Sequence, residues 1–198
     1  MKKQSPSVLV LVRHGETAWS RSGQHTGRTD IPLLEDGRRM GTRLRAPLSQ
    51  WTFSAVWTSP LSRASDTCAL AGFGDVSEPR ADLMEWDYGA YEGKTKEEIR
   101  ALRPGWKIWT DGVPGGESAQ DVGARADRVI TEARAVDGHV LVFAHSHLLR
   151  VLGARWLGLA ATEGRFFVLG TAAISVLSLD PDTQQPVIQR WNDMSHLS

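Results

Sequence analysis

The sequence predicts an α/β protein with three layers, α/β/α, built on a mainly parallel sheet with an antiparallel edge strand. Short apolar, β-branched runs alternate along the chain with segments of helical periodicity, which is typical of this class. The 198 residues, 41% of them hydrophobic and 23% charged, are enough for one domain with a full core. No repeat or low-complexity tract is present, so we expect residues 1–198 to form a single domain.

Five segments are predicted to be strands. The segments 8–12, 53–57 and 140–144 are continuous apolar runs, as in strands that are buried on both faces of a parallel sheet. The segment 172–179 alternates near its end and suits a strand closer to the sheet edge. The segment 186–190 is expected to pair with it as a terminal hairpin strand.

Apolar residues at helical spacing predict four helices, over 36–48, 59–72, 118–133 and 146–157. Ser59 is the expected N-cap of the second helix, because a proline follows it at the first helical position. A Ser-x-x-Asp pattern resembling a capping box opens the third. The irregular segment of about 74–116 carries little periodicity, and we expect it to be an excursion that covers a site.

The charge balance limits the classes of binding partner that we expect, and the single cysteine bears on the cellular compartment. Lys plus Arg and Asp plus Glu each number 23, which argues against nucleic acid and anionic membranes as partners. Cys68 cannot form an internal disulfide, and its place on an apolar helix face predicts a core residue. The apolar run 8–12 is too short for a secretory signal or a membrane span, so we expect a cytoplasmic protein.

Three of the predicted strands end in residues suited to binding anions. The first runs into Arg-His-Gly-Glu-Thr at 13–17, the second into Thr-Ser-Pro-Leu-Ser-Arg at 58–63, and the third into His-Ser-His at 145–147. Ligands of open α/β sheets bind beyond the carboxyl ends of the strands. Two histidines and two arginines from distant parts of the chain are therefore expected to meet in one crevice.

Phosphoryl transfer through a phosphohistidine is the chemistry that suits this group. A neutral imidazole is a nucleophile near neutral pH, and Arg13 and Arg63 would favour its neutral form by repulsion. The same arginines would hold the phosphoryl oxygens with forked donors, assisted by backbone N–H groups after His145. Glu85 is the candidate to protonate the departing alkoxide, and we expect it to gain this function mainly when substrate is bound.

Five short motifs occur in an order that resembles the histidine phosphatase superfamily, the phosphoglycerate-mutase-like proteins. They are Arg-His-Gly-Glu-Thr at 13–17, Ser-Pro-Leu-Ser-Arg-Ala at 59–64, Leu-Met-Glu at 83–85 with Gly-Ala-Tyr-Glu-Gly at 89–93, Gly-Glu-Ser at 116–118, and His145. The similarity extends over essentially the whole chain and implies the phosphoglycerate-mutase-like fold.

The resemblance also implies roles for individual residues. His14 would be the phosphorylated nucleophile, and Glu85 would donate a proton to the leaving group and then act as base for water. Arg13, Arg63 and His145 would complete the phosphate pocket, with no metal and no cofactor required.

On the substrate side, Thr26 and Gly27 match a Thr-Gly element of the family that lines the pocket. The chain departs from the common family pattern in two places, with Trp-Ser in place of Trp-Asn and His-Ser-His in place of His-Gly. In these features it resembles a sub-branch that includes sedoheptulose bisphosphatases and broad sugar-phosphate phosphatases. Polar side chains suit a polyhydroxylated sugar. The predicted substrate-binding residues are Ser20, Gln24, Thr26, Gly27, Ser146 and His147.

The sequence favours a phosphatase of small phosphorylated metabolites over three alternative functions. Cofactor-dependent phosphoglycerate mutases resemble this chain but carry a longer insertion with paired arginines, where this chain has only 104–109. A metallohydrolase using His145 and His147 is disfavoured because the arginines would repel a cation. A non-catalytic scaffold is disfavoured because His14, Glu85 and His145 are all present. The sequence leaves a homo-oligomer open.

Overall fold

The structure is a computed structural model that describes residues 8–198. A six-stranded sheet forms its centre. The strands are β1 Leu9–Arg13, β2 Phe53–Thr58, β3 Ser77–Pro79, β4 His139–Ala144, β5 Ile174–Leu179 and β6 Pro186–Asp193. The α-helices are α1 Ala18–Ser22, α2 Glu35–Arg43, α3 Arg45–Leu48, α4 Ser62–Leu70, α5 Lys96–Leu102, α6 Ile108–Asp111, α7 Ala119–Ala135 and α8 Ser146–Trp156.

The sheet has the strand order β3-β2-β4-β1-β5-β6. The first four strands are parallel, β5 is antiparallel to β1, and β6 is antiparallel to β5. The predicted fold class, a mainly parallel sheet with antiparallel strands at one edge, is confirmed. The edge strand β3 was not predicted, because three residues with a proline carry no recognisable strand pattern.

Hydrophobic side chains cover both faces of the sheet, which makes three layers. In β1, Leu9 and Leu11 belong to a core shared with α7 and α8, whereas Val10 and Val12 belong to a second core shared with α3 and α4. Cys68 is a buried member of the second core, as the sequence predicted. None of the helices in residues 8–198 has the length and apolar composition to cross a bilayer.

Two local predictions were wrong. The second helix begins at Ser62 with Leu61 as N-cap, not at Ser59. The Ser59 hydroxyl instead accepts the N–H of Leu61 and bonds the ring of His145, so this residue serves the site. The excursion 74–116 also contains more regular structure than expected, namely β3, α5 and α6, and the Thr-x-x-Glu capping box of α5 was readable in the sequence.

The segments that follow β1, β2 and β4 meet beyond the carboxyl ends of these parallel strands, because the three strands are neighbours. After β1 the chain passes very close to α2. A Cβ atom on Gly15 would overlap the carbonyl oxygen of Gly37, so the turn that presents His14 requires glycine at both positions. The topology therefore gathers the predicted functional residues at one edge of the sheet.

Candidate active site

A small cavity of about 170 Å³ lies beyond the ends of β1 and β4, and we call it the inner cavity. Its walls are Arg13, His14, Ser20, Gly23, Gln24, His25, Thr26, Glu85, Tyr88, Ser146 and His147. Most of the predicted site residues are in this set. Arg63, His145 and Gly27 are not, and they lie behind the wall.

His14 is buried at the base of the inner cavity, and its ring is oriented by the backbone. Its Nδ1 donates to the carbonyl oxygen of Gly15 at 2.7 Å, which leaves the lone pair on Nε2. Burial lowers the pKa of His14 well below its ordinary value, and the charges of Arg13 and Arg63 lower it further. The repulsion predicted from the sequence is therefore present, but burial is the larger cause of the neutral, nucleophilic form.

Arg13 and Arg63 bracket His14, yet their guanidinium groups already hold the backbone. Arg13 donates through Nη1 to Leu169 O at 2.5 Å, and Arg63 donates through both Nη atoms to carbonyls of the segment 26–29. The Nε atom of each arginine is buried without a partner. Arg63 was predicted to hold phosphoryl oxygens with a fork of donors, but both of its Nη atoms bind the segment 26–29 instead. The Nε groups are the donors that lack a partner within the protein.

His145 lies directly behind His14, with ring centroids 5.2 Å apart. Its Nε2 is 2.7 Å from Ser59 Oγ, and the Ser59 hydroxyl also accepts the amide of Leu61. The Ser59 hydroxyl has no other acceptor among the described residues, so we infer that it donates to Nε2 and that the ring proton lies on Nδ1, which is buried without a partner. His145 then presents an unpaired donor beside His14, and burial holds its pKa well below the ordinary value.

Glu85 is held by three backbone amides. Its Oε1 accepts from the N–H groups of Trp86 and Leu148, both at 2.9 Å, and its Oε2 accepts from His147 N–H at 3.0 Å. Two of these amides belong to the first turn of α8. The N–H groups after His145 were predicted to bind the phosphate, but those of His147 and Leu148 are occupied by the Glu85 carboxylate.

A buried arginine that the sequence analysis missed supports the Glu85 loop from behind. Arg125 of α7 donates to the carbonyl oxygens of Asp82 and Met84 at 2.8 Å and pairs with Glu117 at 2.7 Å. Glu117 also accepts the N–H of Asp87 at 2.9 Å. Glu117 of the Gly-Glu-Ser motif and Arg125 therefore hold the loop together. The sequence feature that could have indicated this role is an arginine on an otherwise apolar helix face.

Several of the predicted substrate-binding residues form hydrogen bonds to other parts of the protein. The Ser20 hydroxyl forms the capping box of α1, and the Gln24 amide donates to Gly93 O at 2.8 Å. The Gly27 N–H donates to Glu92 Oε1 at 2.7 Å, and a Cβ there would lie 2.6 Å from Trp86 O. Gly27 consequently serves packing rather than contact with a ligand, while Ser20 and Gln24 shape the cavity wall.

Two stacked histidines form the outer wall of the inner cavity. The rings of His25 and His147 are nearly parallel, at 8°, with centroids 6.3 Å apart. His147 Nδ1 is 2.5 Å from the hydroxyl of Tyr88, and His25 Nδ1 donates to Lys94 O at 2.9 Å. Burial is the main cause that lowers the pKa of both rings, so both are neutral near neutral pH. His25 was missed because it lies in a loop without a local pattern.

The geometry does not support a metal centre made from His145 and His147. His145 Nε2 bonds Ser59 and His147 Nδ1 bonds Tyr88. Across residues 8–198, no group of three or more His, Cys, Asp or Glu side chains could hold a metal ion.

Comparison with known proteins finds similar proteins whose names describe different activities. An acid phosphatase of Mycobacterium tuberculosis is 39% identical over 181 residues, 89% of each chain. The sedoheptulose 1,7-bisphosphatase of Saccharomyces cerevisiae is 38% identical over 190 residues, 78% of this chain and 69% of that protein. A 2,3-bisphosphoglycerate-dependent phosphoglycerate mutase of Mesorhizobium japonicum is 33% identical over 200 residues, 89% of this chain and 94% of that protein.

The solved structure of the open reading frame Rv3214 of Mycobacterium tuberculosis superimposes with a TM-score of 0.89 at 37% identity, over 94% of this chain and 97% of that one. The family model of the histidine phosphatase superfamily, branch 1, matches residues 9–194. This range contains all five motifs and every residue of the inner cavity. Since the match covers nearly all of the described residues, the chain belongs to branch 1 of the histidine phosphatase superfamily.

Proposed function

We propose that this protein is a phosphatase that hydrolyses small phosphorylated metabolites, sugar phosphates or bisphosphates, through a phosphohistidine at His14. The observation that carries the proposal is the orientation of that ring. Its Nδ1 proton is tied to Gly15 O, so that Nε2 faces the reaction with a lone pair. The Nε groups of Arg13 and Arg63 and Nδ1 of His145 are buried without partners, and in this proposal they donate to the phosphoryl oxygens.

In the first step, His14 Nε2 attacks phosphorus, the bond from phosphorus to the ester oxygen breaks, and that oxygen leaves with a proton from Glu85. The donors of Arg13, Arg63 and His145 stabilise the charge on the three equatorial oxygens. The products of this step are an alcohol and phosphorylated His14.

In the second step, Glu85 takes a proton from water as the water oxygen attacks phosphorus. The bond between phosphorus and His14 Nε2 breaks, and inorganic phosphate leaves. The restraint of Glu85 by three backbone amides keeps one carboxyl group in position for both proton transfers.

A polyhydroxylated substrate is supported by the walls of the cavity. Beyond His14, the lining offers Ser146, Thr26, Tyr88 and His147, which can exchange hydrogen bonds with hydroxyl groups. The similarity to a sedoheptulose 1,7-bisphosphatase points the same way. A cytoplasmic location fits a chain whose single cysteine is free and buried.

The test is phosphate release from sugar bisphosphates, sugar monophosphates and phosphoglycerates with EDTA present, together with acid-labile phosphoenzyme trapped during turnover. We expect release by the wild type and none by His14→Asn. The control is His196→Asn, which removes a histidine outside the inner cavity and should keep the activity. A His14→Asn protein that still forms the phosphoenzyme would refute the assignment. Isomerisation of phosphoglycerate with little free phosphate would establish the mutase instead.

A further inference from the structure

Two stacked histidine rings, His25 and His147, border both the inner cavity and a larger cavity of about 630 Å³ beside it. A substrate that extends from the inner cavity towards the larger one therefore passes these two rings. The ring of His25 lies edge-on to Tyr88 at 4.8 Å and to Trp106 at 5.6 Å. The ring of His147 lies edge-on to Trp86 at 6.0 Å. Since packing holds both rings, the position of the proton on each ring decides which hydrogen bonds it can form with a substrate.

The backbone fixes the proton of His25 on Nδ1. This atom lies 2.9 Å from the carbonyl oxygen of Lys94, which can only accept, so Nδ1 carries the proton and donates. The ring is neutral near neutral pH, because burial lowers its pKa. The other ring nitrogen, Nε2, therefore carries a lone pair and is a hydrogen-bond acceptor.

Tyr88 favours the opposite arrangement in His147. Its hydroxyl oxygen is 2.5 Å from His147 Nδ1, and Tyr88 is only 2% exposed. Burial raises the pKa of Tyr88 well above its ordinary value, so the hydroxyl keeps its proton. If this hydroxyl accepted from Nδ1, its own proton would have no acceptor among the described residues, so donation to Nδ1 is favoured. The single proton of the neutral His147 ring then lies on Nε2, which is a hydrogen-bond donor.

Both Nε2 atoms are open to a ligand. Within the described residues neither forms a hydrogen bond, and neither is among the polar atoms that are buried without a partner. The two rings therefore present one donor and one acceptor to the inner cavity from neighbouring positions, with ring centroids 6.3 Å apart.

We propose that His147 and His25 are specificity-determining residues that recognise hydroxyl groups of the substrate, with His147 as the donor and His25 as the acceptor. Tyr88 is the positioning residue, because its hydroxyl sets which nitrogen of His147 carries the proton. A hydroxyl group both accepts and donates, so a polyhydroxylated chain satisfies both rings, whereas an apolar chain satisfies neither and a carboxylate can only accept. This inference rests on the proposed phosphatase function and assigns its preference for polyhydroxylated substrates to three side chains.

The positions of the two protons are tested first, in substrate-free protein near neutral pH, by nitrogen NMR of isotope-labelled histidine rings. We expect the protons on Nε2 of His147 and on Nδ1 of His25, and a mixture of both forms of His147 in Tyr88→Phe. The control is Tyr91→Phe, which removes the hydroxyl of the only other tyrosine and should change neither ring. A wild-type His147 ring protonated on Nδ1 would overturn the inference, and an unchanged ring in Tyr88→Phe would refute the role of Tyr88.

Recognition of hydroxyl groups is tested with two phosphates of equal chain length, ribitol 5-phosphate and n-pentyl phosphate, of which only the first carries hydroxyl groups. We expect kcat/KM of the wild type to favour ribitol 5-phosphate by about tenfold or more. His25→Phe keeps an aromatic ring but removes the acceptor, and Lys94 O still accepts the backbone N–H of residue 25. This variant should reduce the preference by about tenfold and keep kcat/KM for n-pentyl phosphate near the wild-type value, and Tyr91→Phe should change neither.

The outcomes separate this inference from the proposed function. An equal loss on both substrates in His25→Phe, or a wild type without a preference, would refute recognition by the histidine pair and leave the phosphatase standing. If the wild type releases phosphate from neither substrate, nor from p-nitrophenyl phosphate, the phosphatase function itself has failed and this inference fails with it.

Discussion

Arg125→Met tests whether the buried arginine positions the catalytic loop. The side chain of methionine fills much of the same space but donates nothing, so the carbonyls of Asp82 and Met84 lose a donor. The carboxylate of Glu117 loses the nearer of its two cations and keeps Arg28 at 3.6 Å. The perturbation therefore loosens the segment that carries Glu85 without touching the inner cavity directly.

The expected loss in the free energy of unfolding follows from the burial of the ion pair between Arg125 and Glu117. Removing one partner of a buried ion pair costs roughly 3–5 kcal/mol. Glu117 is 17% exposed and keeps the N–H of Asp87, so the loss should be near the lower limit, about 3 kcal/mol. For a chain of this size, that corresponds to a fall in Tm of between about 6 and 12 °C.

Thermal unfolding gives the first readout, and steady-state kinetics gives the second. In the proposed mechanism Glu85 protonates an alkoxide but is little needed for p-nitrophenolate, so kcat should fall more for a sugar phosphate than for p-nitrophenyl phosphate. The control is Arg128→Met, on the same helix, which removes an exposed pair with Asp82 and should leave Tm near that of the wild type. An Arg125→Met protein with an unchanged Tm, or with equal losses on both substrates, would refute the reasoning.

Three further predictions concern single groups. Glu85→Gln should slow sugar phosphate hydrolysis by about 10²–10⁴-fold and p-nitrophenyl phosphate hydrolysis much less, whereas equal losses would exclude a general acid. Burial lowers the pKa of His14, His145 and His147 well below the 6.5 of the unfolded chain, which then binds protons that the native state does not. The free energy of unfolding measured with urea should therefore fall as the pH drops below about 6.5, and a constant value would contradict this. Burial raises the pKa of Cys68 to about 11, so native protein at about pH 8 should resist thiol reagents, and rapid labelling would disprove it.

The sequence by itself predicted the central strands and the residues at their ends. Apolar β-branched runs followed by polar residues are local patterns, and 9–13, 53–58 and 139–144 form strands within a residue or two of expectation. The position of His14 at the end of the first strand followed from the same pattern. The helices 119–135 and 146–156 were likewise predicted, because their periodicity and caps lie within the segment itself.

Only the tertiary structure decided how those residues are connected. The amides of His147 and Leu148 bind Glu85, because the loop 83–85 is packed against the start of α8. Arg125, from a third segment, completes this arrangement. The inner cavity draws its walls from the segments 13–14, 20–26, 85–88 and 146–147, and no local pattern relates these segments. Residue types and strand ends are local properties of the chain, whereas hydrogen-bond partners and shared cavities depend on which distant segments pack together.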